Sequence, residues 1–117
     1  MTQGREHTLT LGERHFALRR ERVNGSERIR VLGELDLAVI GFVNREMESA
    51  EASDASRIVL DLEQLEFLDV SGIRLLLHLN ERSQGNGRRL RISGSGAPQV
   101  QRVLELTGVD ELLPFED

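Results

Sequence analysis

Between Ile58 and Leu77 the apolar residues change period, and that change restricts the fold more than any other feature of the chain. Ile58-Val59-Leu60 is a short aliphatic and β-branched run ending at Asp61, the pattern of a strand buried in a sheet. Downstream, Ile73, Leu76, Leu77 and Asn80 recur at helical spacing. The segment Leu65-Glu66-Phe67-Leu68-Asp69-Val70-Ser71-Gly72 joins the two and reads as a polar turn carrying an acid, a hydroxyl and a glycine. Turns between a buried strand and an apolar helix are where α/β proteins place functional groups, because both flanks are rigid and the turn is solvated. This one holds no histidine, cysteine or lysine, so it argues for a modification site more readily than for an active site.

The same alternation extends in both directions. His15 to Val23 and Arg28 to Leu35 favour strands, and Asn24-Gly25 between them supplies the positive φ angles of a tight antiparallel hairpin. Ile29, Val31 and Leu35 share one face of the second strand, and Gly33 interrupts that row where another backbone can approach. Asp36 is expected to cap a helix in which Leu37, Ile40, Val43, Met47 and Ala50 form the buried stripe and Arg45, Glu46, Glu48 and Glu51 the solvated one. Ser49 to Ser56 reads as a loop into the strand at Ile58. A second helix runs from Ser71 to about Ser83, Gln84-Gly85-Asn86-Gly87 ends it, and Leu90-Arg91-Ile92 is the next strand. Gly94-Ser95-Gly96 opens a third helix with Pro98 in its first turn and Val100, Val103, Leu104 and Thr107 as its buried stripe before Gly108. Leu112 to Phe115 is expected to cover a sheet edge. The sum is a single α/β domain with a mixed β-sheet, an N-terminal hairpin followed by alternating helices and parallel strands. Residues 1–14 read as a tail or a marginal edge strand outside the domain at 15–117.

Composition narrows the function. A chain of 117 residues suits one domain with one core. The net charge of −5 argues against direct nucleic-acid binding, which needs a basic face to displace counterions. The one dense basic cluster, Arg88-Arg89-Leu90-Arg91, has no aromatic beside it and reads as a solvated connection into a strand. Phe16, Phe42, Phe67 and Phe115, one per element, read as core fillers. No apolar run approaches the roughly 18 residues of a membrane span, no secretory leader opens the chain, and cysteine is absent, so a cytoplasmic protein is expected. Without lysine there is no Schiff base and no P-loop. His7, His15 and His78 lie far apart without ligand spacing, and Asp36, Asp61 and Asp69 each suit a capping or strand-end role, so neither a metal nor any other cofactor is expected.

Ser71 suits a helix cap or first-turn position, and that same position tolerates phosphate. A phosphate at a helix start meets unpaired backbone N–H groups and the positive end of the dipole, worth about 0.3–1 kcal/mol when exposed. A docked partner would instead face close to two added negative charges beside Asp69, so phosphorylation reads as a release signal. Arg74 lies at helical spacing from Ser71, either to hold a phosphate or simply as a solvated first-turn residue. Gly72 either keeps a kinase's path clear or permits close packing. Asp69 suits an N-cap better than a general base, since nothing beyond it can receive a proton.

Two landmarks, Gly33-Glu34-Leu35-Asp36-Leu37 and Phe67-Leu68-Asp69-Val70-Ser71-Gly72, resemble those of STAS domains, and within them the single-domain bacterial anti-sigma factor antagonists. The strand at Val59 to Asp61, the Gly-x-Gly turn before Leu90 and the Leu-x-x-x-Gly ending at Gly108 follow in the same order, so the resemblance spans roughly residues 15 to 116. It implies a non-enzymatic STAS-type domain that binds an anti-sigma factor serine kinase and frees a sigma factor. That kinase then phosphorylates the hydroxyl residue before the glycine, here Ser71, and a metal-dependent serine phosphatase resets it. The implied docking surface comprises Asp36, Asp69, Val70, Ser71, Gly72 and Arg74. Val70 stands where the motif usually has a first serine, which leaves Ser71 as its one hydroxyl, and Arg74 stands where a small residue is common. The alternative that the resemblance allows is a STAS regulatory subunit of a membrane lipid-transport ATPase.

Overall fold

The computed structural model describes residues 3–11 and 14–116, with side chains from Phe16 to Glu116. Three strands open the chain, β1 (Gln3–Leu11), β2 (Arg14–Val23) and β3 (Ser26–Leu35). They are followed by α1 (Ile40–Glu51), β4 (Arg57–Asp61), β5 (Leu65–Leu68), α2 (Val70–Gln84), β6 (Leu90–Ser93), α3 (Pro98–Leu106), a 3-10 turn (Val109–Glu111) and β7 (Phe115–Glu116). The strands form one mixed sheet in the order β1-β2-β3-β4-β6-β7, with β5 also paired to β3. β1, β2 and β3 are antiparallel, whereas β3, β4, β6 and β7 run parallel. Helical crossovers demand that parallel pairing, because only a crossover can return the chain to the same end of the sheet.

The β2–β3 hairpin turns on Asn24 at φ 54° and Gly25 at φ 82°, the paired positive angles whose twist matches that of the flanking strands. Along β3 the residues alternate strictly between buried and half-buried, with Ile29, Val31 and Leu35 inside. These join Leu60, Leu62, Leu65, Met47, Leu76, Leu79, Ile92, Val100 and Leu104 in one contiguous core. Burying each such side chain stabilises the fold by about 1.5–3 kcal/mol before conformational entropy is subtracted. Salt bridges mark the other face of β3: Arg28 reaches Asp61 at 2.7 Å, while Arg30 lies 3.5 Å from both Asp61 and Glu21.

β5 departs from the expected turn. β3 pairs first with β4 through Ser26–Arg30 and then, after a register shift at Gly33/Glu34, with β5 through Gly33–Leu35. Gly33 sits at φ 91° and donates its N–H to the Gln64 carbonyl at 3.2 Å, a conformation that favours glycine. The run Leu65-Glu66-Phe67-Leu68 has no two-residue alternation, which is why a strand is not legible there.

Several side-chain placements correct the sequence reading. Leu37 is 72% exposed, because α1 begins only at Ile40 and residues 36–39 form a turn. Asp36 therefore caps that turn and not the helix: its carboxylate accepts the Ala38 N–H at 3.0 Å and its carbonyl accepts the Ile40 N–H at 3.1 Å. Glu46 is buried where solvent was expected, held by Arg20 of β2 at 3.2 Å. Phe42 and Phe67 are 42% and 45% exposed and so are not core fillers, although Phe42 still meets buried Phe16 with ring centroids 6.4 Å apart. Thr107 is exposed, and its hydroxyl donates back to the Val103 carbonyl at 2.7 Å as α3 ends. Within the basic cluster Arg89 is likewise not free: its guanidinium donates to the carbonyls of Glu51, Ser53 and Ala55 and ties the end of α1 to the start of β6.

Candidate functional site

The ends of β3 and β5 converge where α2 begins. Asp69 leaves β5 in an extended conformation, donates its N–H to the Leu35 carbonyl at 3.3 Å, and caps α2 by accepting the Gly72 N–H on its carboxylate at 3.1 Å. Val70, Ser71 and Gly72 are then the first three residues of the helix. A Cβ on Gly72 would lie 2.3 Å from a methyl of Leu68 and 2.9 Å from the Leu35 carbonyl oxygen. Glycine is thus a packing requirement, which seats the helix start directly on the strand ends.

That seating sets the environment of Ser71. The residue is half-buried, and among the described residues its hydroxyl makes no hydrogen bond. The N–H groups of Val70 and Ser71 belong to the first turn, where intrahelical partners do not exist. On either side stand exposed apolar side chains, Leu37 from the β3–α1 turn and Val70, which is 66% exposed. Among the described residues no base serves the hydroxyl. Asp69 is committed to the cap, and His78 lies seven residues further along α2, about 10 Å by helical rise.

From Ser71 a groove of about 460 Å³ runs between α1 and α2. Leu37, Ile40, Gly41 and Asn44 form one wall, and Ser71, Arg74, Leu75, His78 and Arg82 form the other. Arg82 closes its far end by donating to Asn44 at 2.8 Å and pairing with Glu51 at 3.0 Å. A larger groove of about 690 Å³ lies along Phe16, Leu32 and Leu65, away from Ser71. Among the described residues no group of acidic and histidine side chains is placed to hold a metal ion, and no helix is long and apolar enough to cross a membrane.

A family model described as "Mlab, STAS domain" matches residues 18–114. The chain belongs to the STAS domain family. An anti-sigma F factor antagonist of Paenibacillus polymyxa is 29% identical over 90 residues, covering 76% of each chain. An anti-sigma factor antagonist of Mycobacterium paratuberculosis has a similar fold, with TM-score 0.71, 24% identity, and coverage of 95% of this chain and 85% of that one. The antagonist SpoIIAA is similar in its unphosphorylated form at TM-score 0.65 and 23% identity, covering 86% of this chain and 88% of that one. Its phosphorylated form from Bacillus follows at TM-score 0.63 and 22% identity, covering 86% and 91% respectively.

Within this STAS domain the residues expected to form a docking surface do not all lie on the surface. Val70, Ser71 and Arg74 share the outer side of the first turns of α2. Asp69 is half-buried beneath them as the cap, whereas Asp36 and Gly72 are buried and act by shaping the strand and helix ends. Leu37, Asn44, His78 and Arg82 went unnoticed as surface residues of one groove. The α2 members were legible in principle, since positions 71, 74, 75, 78 and 82 form a single helical stripe. The α1 wall was not, because no sequence period reveals which two helices lie side by side.

Proposed function

We propose that this STAS domain is an anti-sigma factor antagonist that binds an anti-sigma serine kinase, frees a sigma factor, and is released when the kinase phosphorylates Ser71. The observation that carries this reading is the placement of Ser71: second in α2, with a hydroxyl that makes no hydrogen bond among the described residues, beside open first-turn N–H groups, and flanked by exposed Leu37 and Val70. The domain contributes an acceptor and a docking surface and no catalysis. In the transfer the Ser71 oxygen attacks the γ-phosphorus of ATP, the bond to the β–γ bridging oxygen breaks, and ADP leaves. The hydroxyl proton goes to a base of the kinase, because Asp69 is held in the cap. The dianion then sits at the positive end of α2, so the fold tolerates it while an apolar partner surface seated on Leu37 and Val70 does not. A metal-dependent serine phosphatase restores the binding form. The named antagonists among the relatives support the assignment, as does the resemblance to a phosphorylated one.

Incubation with the cognate kinase and ATP, followed by mass spectrometry of the Ser71 peptide, tests the reading. One phosphate on Ser71 supports it. An unmodified Ser71, together with capture of a transport ATPase subunit from the source cell, would favour the lipid-transport alternative.

A further inference from the structure

The groove between α1 and α2 has a charge opposite to that of the whole chain. The net charge is −5, yet the titratable side chains that line the groove are Arg74, His78 and Arg82. Arg82 is spent on Glu51. Arg74 and His78 are exposed, and among the described residues neither takes part in a salt bridge. The lining beside them is apolar, with Ile40 and Gly41 on the α1 wall, Leu75 on the α2 wall and exposed Leu37 at the mouth. An extra Cβ on Gly41 would meet nothing within 4 Å, so the α1 wall is open there. Along α2 the stripe from Ser71 to Arg82 extends about 16 Å, the length of three helical turns.

We propose that this groove receives an acidic amphipathic segment of a protein partner, with its apolar side on Ile40 and Leu75 and its carboxylates on Arg74 and His78. The proposal rests on the partner-switching reading and adds the chemistry of the partner's segment. Length and an open apolar lining suit a polypeptide laid along two helices, as in other helix-in-groove contacts, and the charge of the stripe selects an acidic one. A local basic stripe on an otherwise acidic chain also fixes the orientation in which an acidic segment meets it. Ser71 closes the near end of the groove, and Arg74 lies at i+3 from it, within reach across one helical turn. Once Ser71 carries a phosphate, Arg74 gains an anion of its own chain. Release then comes from occupation of the basic site as well as from repulsion.

Fluorescence anisotropy with a labelled helical peptide bearing Glu and Leu on opposite faces tests this, with a twin carrying Gln for every Glu. The full chain should bind the Glu peptide more tightly than the twin, with a difference that shrinks as salt rises. The double variant R74Q/H78Q should bind it roughly fivefold to tenfold more weakly, while the exposed-arginine control R102Q should not differ from the parent. Phosphorylated chain should bind as weakly as the double variant. Equal affinity for both peptides, or an R102Q loss equal to that of R74Q/H78Q, overturns the proposal. So does preferential binding of R74Q/H78Q-sensitive chain to anionic lipid vesicles over the peptide. Circular dichroism of the variants verifies folding. Kinase binding and Ser71 phosphorylation are scored separately: a chain that is phosphorylated and binds kinase regardless of R74Q/H78Q refutes the groove alone. A groove that takes the peptide in a chain the kinase never modifies refutes the switch alone.

Discussion

The Asp69 carboxylate accepts the backbone N–H of Gly72 at 3.1 Å, and closing that ring holds Ser71 on the outer side of the first turn of α2. A cap and an acceptor are here adjacent functions of one helix start. Asp69→Ala should cost about 0.5–2 kcal/mol in urea denaturation, since it leaves a first-turn donor without its acceptor. Asp69→Asn should recover most of the loss, because the amide oxygen can accept the same bond.

Gly72 and Ser71 are neighbours with opposite sensitivities. Gly72→Ala drives a methyl into the Leu35 carbonyl and Leu68, neither of which can yield fully, and should destabilise by about 1–3 kcal/mol. Ser71→Ala removes a hydroxyl that makes no hydrogen bond among the described residues and should change stability by less than about 0.5 kcal/mol. Chemical denaturation of the two variants side by side measures the contrast.

Under α1 lies a buried ion cluster in which Arg20 donates twice to Glu27 at 3.0 Å and once to Glu46 at 3.2 Å. Hydrogen bonding to Glu27 has the largest effect, burial opposes it, and hydrogen bonding to Glu46 adds to it, so the Arg20 guanidinium is held above its ordinary value. A raised pKa contributes stability below the unfolded value, lost only as pH rises through the folded one, so this contribution is constant across neutral pH. Arg20→Ala should cost about 3 kcal/mol by leaving two buried carboxylates without the cation between them. Arg20→Lys should restore only part of it, lacking the planar fork.

Arg22 holds the exposed Asp54 carboxyl below the usual carboxylate range, chiefly through their hydrogen bond. A depressed carboxyl favours the folded state above its unfolded pKa, and that preference fades as pH falls through the folded value. Arg22→Gln should therefore raise the Asp54 titration midpoint followed by NMR, with no measurable change in stability at neutral pH.

Local features were legible from the chain and contacts between distant elements were not. Asn24-Gly25 announces its hairpin because only a few residues tolerate two positive φ angles, and Pro98 and Gly108 bracket α3 for similar local reasons. Ser71 and the Asp69 cap could be named together because both belong to one helix start. Leu37 could not be placed: Asp36 suits a cap and a turn equally, and a shift of the helix start turns a core position into a surface one. Glu46 reads as solvated until Arg20, 26 residues earlier, is brought beneath it.

The most direct measurement compares kinase affinity of Ser71→Ala and Ser71→Asp by isothermal titration calorimetry, with circular dichroism confirming that both are folded. Ser71→Ala should bind like the unmodified parent and Ser71→Asp clearly more weakly, since only the latter places charge between Leu37 and Val70. Equal affinities for the two variants would contradict the switch at Ser71.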